Sequence, residues 1–138
     1  MMQRLLSPIQ VGHLQLKNRI VMPAIHHLYT PDGTLSERFK HYYYARAKGG
    51  AALIIIGGAK FEEYGAAAMM PDITKPTFVE DFKEFCQQMR AYGAKVGIQL
   101  YHAGRYAVGS KKLLAPSPVY SSFSRATPVE MTKQDIEE

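Results

Sequence analysis

The sequence has a single cysteine and no apolar run long enough to cross a membrane. Because Cys86 has no second thiol to pair with, an internal disulfide and a cysteine metal cluster are both excluded within this chain. A membrane span needs roughly 20 consecutive apolar residues, and a secretory signal needs a long apolar segment near the N-terminus. Neither is present, so we expect no membrane association and a cytoplasmic location.

Clustered positive charge is also lacking, although the formal net charge is +5. The Lys and Arg residues are scattered, and Lys111-Lys112 is the only basic pair. Nucleic-acid binding requires a basic face, so we expect no nucleic acid among the partners; a small basic nucleic-acid binder stays open as an alternative. A chain of 138 residues with 46% hydrophobic and 21% charged residues is typical of a globular domain with a real core.

The apolar pattern predicts a short hairpin followed by three strands that alternate with two helices. Residues 9–11 and 14–16 alternate apolar and polar side chains around Gly12-His13, as the two arms of a hairpin do. Strands are predicted at residues 19–22, 51–56 and 94–100. The second of these is continuously apolar, which is expected of a parallel strand that is covered on both faces.

Each predicted helix begins at a capping-box spacing, Thr34 to Glu37 and Thr77 to Glu80. Apolar side chains then recur at steps of three and four, and glycines end both helices. Cys86 lies on the second apolar stripe, where a buried structural thiol is expected. A further helix is predicted to begin at Met131-Thr132. The residues of the two stripes are Leu35, Phe39, Tyr42 or Tyr43, and Ala47 in the first, and Phe78, Phe82, Phe85, Met89 and Tyr92 in the second.

This order of elements predicts right-handed βαβ units on a parallel sheet, of α/β class. A doubly wound dinucleotide-binding sheet would show Gly-x-Gly-x-x-Gly after its first strand, but residues 23–27 read Pro-Ala-Ile-His-His. The absence favours a (β/α)8 TIM barrel. Because a barrel needs about 250 residues, residues 1–138 are interpreted as a partial domain, an opening hairpin and about three βα units, truncated after the third strand and its loop.

Polar or small residues follow each predicted strand, with Gln99, His102 and Arg105 after the third. Barrels collect their ligands at the C-terminal face of the strands, so the three strand ends are predicted to share one pocket. The unpaired third strand is expected to cause self-association or to need the remainder of the barrel.

Several motifs, taken together and in order, resemble the N-terminal part of the old yellow enzyme family of NADH:flavin oxidoreductases. The resemblance covers essentially all 138 residues, and the ends of the three strands are most similar to the branch of dienoyl-CoA reductases and enoate reductases. The motifs are Leu16-Lys-Asn-Arg-Ile-Val-Met22, Ala45-Arg-Ala-Lys-Gly-Gly50, Gln99-Leu-Tyr-His-Ala-Gly-Arg105, and Ala115-Pro-Ser-Pro118 followed by Thr127-Pro-Val-Glu-Met131.

The resemblance implies an enzyme that binds FMN, takes hydride from NAD(P)H and reduces activated alkenes. It also implies which residues bind the flavin: Pro23, Ala24, Ile25, His26, Gly58 and Gln99. An amide side chain matches the alternating donor and acceptor edge of the flavin ring, and glycine leaves room for a flat ring. In some family members a cysteine that tunes the flavin stands at the place of His26.

Structural roles remain as alternatives for several of these residues. Gln99 could satisfy loop backbone groups, and Gly57-Gly58 could be a turn that ends the strand. His102 and Arg105 are expected to organise their loop. His26-His27 lack a third ligand at a suitable spacing, so no metal site is predicted.

The resemblance places the remaining machinery beyond Glu138. This includes the proton donor, the phosphate site after strands seven and eight, and any iron–sulfur cluster or FAD domain. The chain alone is therefore expected to be inactive, and no catalytic residue is assigned within it. The alternative is a non-catalytic half-barrel that assembles with a partner chain.

Overall fold

A three-stranded parallel sheet with two helices packed against it forms the centre of the structure. The computed structural model describes residues 2–65, 69–110 and 112–137. A 3-10 helix at Gly104–Tyr106 follows the sheet. The helices are α1 (Met2–Leu5), α2 (Glu37–Lys48), α3 (Phe78–Ala91) and α4 (Lys133–Glu137), and the strands are β1 (Ile9–Val11), β2 (Leu14–Leu16), β3 (Val21–Met22), β4 (Leu53–Ala59), β5 (Lys95–Leu100), β6 (Leu114–Ala115) and β7 (Val129–Glu130).

The central sheet has the order β3-β4-β5, with every pair of neighbours parallel. β4 is the middle strand, and Ile54 and Ile56 on it are fully buried. Leu53 and Ile55, which point to the opposite face of the sheet, are only half-buried, so the predicted coverage on both faces is complete on the helix side alone within this chain. The predicted βαβαβ order is confirmed, and so is the hairpin, in which β1 pairs antiparallel with β2.

The strand boundaries differ from the predicted ones. β3 is limited to Val21 and Met22, whereas β4 begins at Leu53 and continues through Gly57 and Gly58 to Ala59. The register between β4 and β5 shifts between Ile56 and Ala59, which marks a bulge. The two glycines therefore form an irregular strand end rather than a separate turn, because a bulge admits the extra residue within the ladder.

Helix α2 begins two residues later than the capping-box spacing predicts. Ser36 is its N-cap, and the Ser36 hydroxyl accepts a hydrogen bond from the Phe39 N–H at 3.1 Å. Thr34 instead donates its hydroxyl proton to Asp32 at 2.6 Å. The assignment of Thr34 as the cap was wrong, because the preceding turn occupies its hydroxyl. At the other end it is Gly50, with φ of 103°, that takes the left-handed conformation, whereas Gly49 is helical.

Helix α3 lacks the predicted capping box. Thr77 already has helical backbone angles and makes no side-chain cap bond, so this prediction was wrong. The Phe78 N–H donates to the Lys75 carbonyl at 3.0 Å in the preceding turn. That bond satisfies one of the free amides at the start of the helix. In α4 the cap is present, since the Asp135 N–H donates to the Thr132 hydroxyl.

The core lies between the sheet and helices α2 and α3, as the helical stripes predict. Tyr43 is the central member of the three consecutive tyrosines and is fully buried, whereas Tyr42 and Tyr44 are half-buried beside the core. Cys86 is half-buried at the core edge, and burial raises the pKa of its thiol, which makes it less reactive. The buried members contributed by the helices are Phe39, Tyr43, Ala47, Phe78, Phe85 and Met89.

The segment after β5 contains a short parallel pair, β6 with β7, that the sequence pattern did not indicate. Two-residue strands carry too little periodicity to be recognised. Among the described residues, every helix is too short or too polar to cross a bilayer.

Candidate functional site

The carboxyl ends of β3 and β4 touch through a glycine. Gly57 lies against the loop that follows β3, and a Cβ atom built on Gly57 would overlap the backbone of Ile25. Only a residue without a side chain fits there. Residues 23–26, which contain four of the predicted cofactor-binding positions, are thereby held against the end of β4.

The carboxyl ends of β4 and β5 are joined by a side chain. The Gln99 Oε1 atom accepts a hydrogen bond from the Gly58 N–H at 3.4 Å. Gly58 has φ of 47°, and a Cβ there would come within 2.8 Å of the Met70 methyl carbon. The structure therefore brings Ile25, Gly58 and Gln99 to one edge of the sheet, on the same side, as the shared-pocket hypothesis requires.

This edge is open to solvent. Pro23, Ile25, His26 and Gln99 are exposed, Ala24 is half-buried and Gly58 is buried. Within the described residues, the Gln99 amide nitrogen forms no hydrogen bond, so both of its protons remain available. The edge thus combines exposed amide donors with apolar side chains, and Ile25 alone is 42% exposed.

Tyr43 lies beneath the strand ends. Its hydroxyl oxygen accepts a hydrogen bond from the Gly57 N–H at 3.4 Å and lies 3.4 Å from His27 Nδ1. Burial raises the pKa of Tyr43 to about 12, so its hydroxyl stays protonated. The helical spacing indicated that Tyr43 belongs to the core, but no local pattern indicated where its hydroxyl points.

His27 is enclosed by aromatic rings. Its ring centroid lies 4.1 Å from that of Tyr42, 5.1 Å from that of Tyr43 and 5.4 Å from that of Tyr29. Burial lowers the pKa of His27, and the charge of Arg46 lowers it further, with His26 adding to the effect. His27 is therefore favoured in its neutral form. Sequence reasoning weighed His27 only as a metal ligand and missed this packing.

His102 and Arg105 are engaged within loops. His102 Nδ1 accepts a hydrogen bond from the Gly104 N–H at 2.9 Å, and His102 Nε2 lies 3.0 Å from the Glu62 carboxylate. The Arg105 guanidinium donates to the Tyr106 hydroxyl at 2.8 Å. The His102–Glu62 contact links the loops after β4 and β5, whereas the Arg105 contact stays within the loop after β5; both agree with the organising roles expected for these residues.

Sequence comparison identifies the family. Residues 4–138 match the sequence pattern described as the NADH:flavin oxidoreductase / NADH oxidase family. The chain belongs to this family. The resemblance to the old yellow enzyme family is thereby confirmed, whereas the assignment to the branch of dienoyl-CoA and enoate reductases stays a prediction.

Two curated relatives show how far the similarity extends. A metal reductase of Desulforamulus reducens is 40% identical over 140 residues, which cover 99% of this chain and 21% of that protein. An NADPH dehydrogenase of Bacillus subtilis is 33% identical over 141 residues, which cover 100% of this chain and 42% of that protein. The chain thus spans less than half the length of either relative.

A solved structure supports the fold. The old yellow enzyme of Pichia sp. AKU4542 superposes with a TM-score of 0.87 and 29% identity, covering 97% of this chain and 39% of that one. The structure corresponds to an N-terminal portion of a (β/α)8 barrel, so the predicted fold class is confirmed.

Proposed function

We propose that these 138 residues are the N-terminal part of an FMN-dependent NAD(P)H oxidoreductase that reduces activated alkenes. The observation that carries the proposal is the convergence of the Ile25 backbone, Gly58 and the Gln99 amide at one edge of the sheet. In α/β barrels, ligands bind at this end of the strands. Family membership supports the oxidoreductase class.

The residues at this edge suit a flat, polar-edged ring such as that of FMN. The Gln99 oxygen is anchored by the Gly58 N–H, so its amide nitrogen is oriented and able to donate to a ring carbonyl. Gly58 is buried, and the Met70 methyl group lies where a side chain would be, so its part in the proposal is to present its backbone N–H to Gln99. The edge thus provides a donor, a small residue and an apolar side chain, Ile25, within one short stretch of surface.

In this proposal the chain's contribution is to bind and orient the cofactor. Backbone groups of Pro23, Ala24 and Ile25 would line the reactive edge of the flavin with His26 beside them, and Gln99, next to Gly58, would bond the pyrimidine ring. When bound, FMN supplies hydride transfer from NAD(P)H to the β-carbon of an electron-poor alkene, and the protein tunes that chemistry through hydrogen bonds. No catalytic residue is proposed within residues 1–138.

The remaining parts of such an enzyme are proposed to lie outside this chain. They are the proton donor, the phosphate site after strands seven and eight, and any iron–sulfur cluster or FAD. The short span relative to both curated proteins supports this view. Residues 1–138 alone are accordingly proposed to be inactive and to pair with the remainder of the barrel or with a second copy.

The test compares residues 1–138 with a longer protein in which the same residues are continued by the rest of the barrel. We expect the longer protein to purify with bound flavin, identified by its absorption spectrum, and to oxidise NADH or NADPH when given an activated alkene. A ferric chelate serves as the alternative acceptor, because one relative is a metal reductase. A longer protein that binds no FMN would refute the proposal. Co-purification of a separate barrel-completing chain with residues 1–138 would instead favour the non-catalytic half-barrel.

A further inference from the structure

The buried hydroxyl of Tyr43 contacts two segments of the candidate site at once, although Tyr43 itself lies in the core. We propose that Tyr43 is a positioning residue of the flavin site, holding the Gly57 N–H with its oxygen and fixing the tautomer of His27 with its proton. The inference rests on the proposed function, because it concerns the geometry of the same site. It goes beyond that function by assigning a role to two side chains that do not belong to the predicted cofactor set.

The Tyr43 hydroxyl both accepts and donates. A tyrosine hydroxyl has one proton to donate and lone pairs that accept. Because the Gly57 backbone nitrogen can only donate, the Tyr43 oxygen is the acceptor in that contact. The hydroxyl proton is then free to point at His27 Nδ1, 3.4 Å away. In this proposal His27 Nδ1 is the acceptor, which puts the proton of the neutral imidazole on Nε2. The Tyr43 oxygen has a second lone pair that could take an Nδ1–H instead, so the tautomer is the quantity that the experiment below measures.

The surroundings of His27 favour an uncharged ring. The ring is packed against Tyr29, Tyr42 and Tyr43. Burial and the nearby Arg46 charge lower the pKa of His27, which agrees with a neutral ring whose Nδ1 accepts. A protonated imidazole would carry a proton on both nitrogens and could not accept from Tyr43.

The second ring nitrogen of His27, Nε2, lies on the side away from Tyr43 Oη. His27 Nε2 is buried and has no hydrogen-bond partner within the described residues. Buried polar atoms are almost always paired in native proteins. With the tautomer that Tyr43 sets, His27 Nε2 carries a proton and is a donor without a partner among the described residues. This donor lies directly after residues 23–26 of the candidate site.

Through Gly57, Tyr43 also affects the residues that are predicted to contact the cofactor. The Gly57 backbone supports Ile25 on one side, and its neighbour Gly58 bonds Gln99 on the other. The hydrogen bond from the Gly57 N–H to Tyr43 thus fixes the position of the end of β4. The placement of Ile25 and of Gln99 depends on that position. Removal of the Tyr43 hydroxyl leaves the ring in the core. It removes the hydrogen bond to Gly57 and the contact that selects the His27 tautomer at the same time.

The experiment uses the longer protein defined above, with 15N-labelled histidine, as wild type, as Tyr43→Phe and as the control Tyr44→Phe. Tyr44 is the next residue on α2 and packs on Phe85 and Tyr92, away from Gly57. In the wild type we expect the His27 nitrogen chemical shifts of an Nε2–H tautomer. Tyr43→Phe is expected to give mixed tautomers and to weaken FMN binding by about tenfold, the loss of roughly one net hydrogen bond. Tyr44→Phe is expected to leave both unchanged.

Two results would overturn the inference. One is an Nδ1–H tautomer of His27 in the wild type, which requires no variant and stays measurable if Tyr43→Phe does not fold. The other is a folded Tyr43→Phe protein with the wild-type His27 tautomer and wild-type FMN affinity. A wild-type protein that does not bind FMN would refute the proposed function instead, while the tautomer measurement would still decide the arrangement of Tyr43 and His27.

Discussion

The side chain of Gln99 bonds the backbone of Gly58, its oxygen accepting the Gly58 N–H at 3.4 Å across the boundary between β4 and β5. The contact joins residues 41 positions apart in the chain. It orients an exposed amide whose nitrogen is available at the carboxyl edge of the sheet. The Gln99 amide is thus fixed through its oxygen while its nitrogen can donate to a ligand.

Replacement of Gln99 by alanine is expected to weaken FMN binding by roughly tenfold to a hundredfold, because one or two hydrogen bonds to the ring are lost. The free energy of unfolding should change by less than about 1 kcal/mol, since Gln99 is exposed. Flavin titration measures the affinity, and urea unfolding measures the stability. Gln87→Ala on α3, another exposed glutamine, is the control; equal affinity losses in both variants would contradict the assignment.

The close approach of Gly57 to Ile25 gives a second prediction. Gly57→Ala should destabilise the protein by about 1–3 kcal/mol or more, because the new Cβ must displace the Ile25 backbone. The displacement moves residues 23–26, so the affinity for FMN should fall together with the stability. Urea unfolding and flavin titration in the longer protein measure both quantities.

Gly97→Ala provides the matched control for that substitution. Gly97 lies on neighbouring β5, where a Cβ would make only an ordinary contact with Ile55 at 3.9 Å. The Gly97→Ala substitution should leave the free energy of unfolding unchanged or raise it slightly, because alanine restricts the conformations of the unfolded chain. If Gly57→Ala proved as stable as Gly97→Ala, the packing of the loop on β4 would be wrong.

Helices and strands could be predicted from the sequence where their pattern involves residues close together in the chain. The spacing of Phe39, Tyr43 and Ala47 places one face of α2 in the core, and the alternation around Gly12 defines the hairpin. Such patterns depend only on residues within a few turns of one another. The order of strands, helices and polar strand ends was therefore predictable, whereas the hydrogen bond between Gln99 and Gly58, 41 positions apart, was not.

The details that were not predictable depend on distant neighbours. The extension of β4 through Gly57 to Ala59 follows from its pairing with β5, where Ala59 lies opposite Leu100, and no local pattern indicates a partner that far along the chain. Ser36 rather than Thr34 caps α2 because Asp32 occupies the Thr34 hydroxyl. The contact of the Tyr43 hydroxyl with Gly57 and His27 likewise joins three segments of the chain, whereas the apolar stripe indicates only that the ring is buried.

The lowered pKa of His27 predicts an acid-sensitive stability. In the unfolded chain His27 titrates near its ordinary value of 6.5, whereas burial and the Arg46 charge hold the pKa lower in the folded chain. As the pH falls below 6.5, the unfolded state binds the proton first, so stability falls until the folded pKa is also passed. Above 6.5 His27 is neutral in both states and contributes no pH dependence.

The measurement is the urea midpoint at about pH 7.5 and at about pH 5 for wild type and His27→Gln. The loss of stability on acidification should be smaller in His27→Gln, because the titrating group is gone. His13→Gln, at the exposed turn of the hairpin, is the control and should keep the wild-type loss. An equal loss in wild type and His27→Gln would show that His27 does not govern this pH response.

The unpaired edges of the central sheet predict self-association of residues 1–138. Within the described part of the chain, β3 and β5 each pair on one side only, and Val21 is 45% and Leu100 59% exposed. Open strand edges beside apolar side chains recruit further strands. Size-exclusion chromatography with light scattering should show oligomers, and Leu100→Lys should shift them towards monomer by placing a charge at the edge. Val79→Lys on α3, where Val79 is 66% exposed away from the sheet edge, should leave the oligomers unchanged. A monomer that persists over a wide concentration range would show that these edges are already protected.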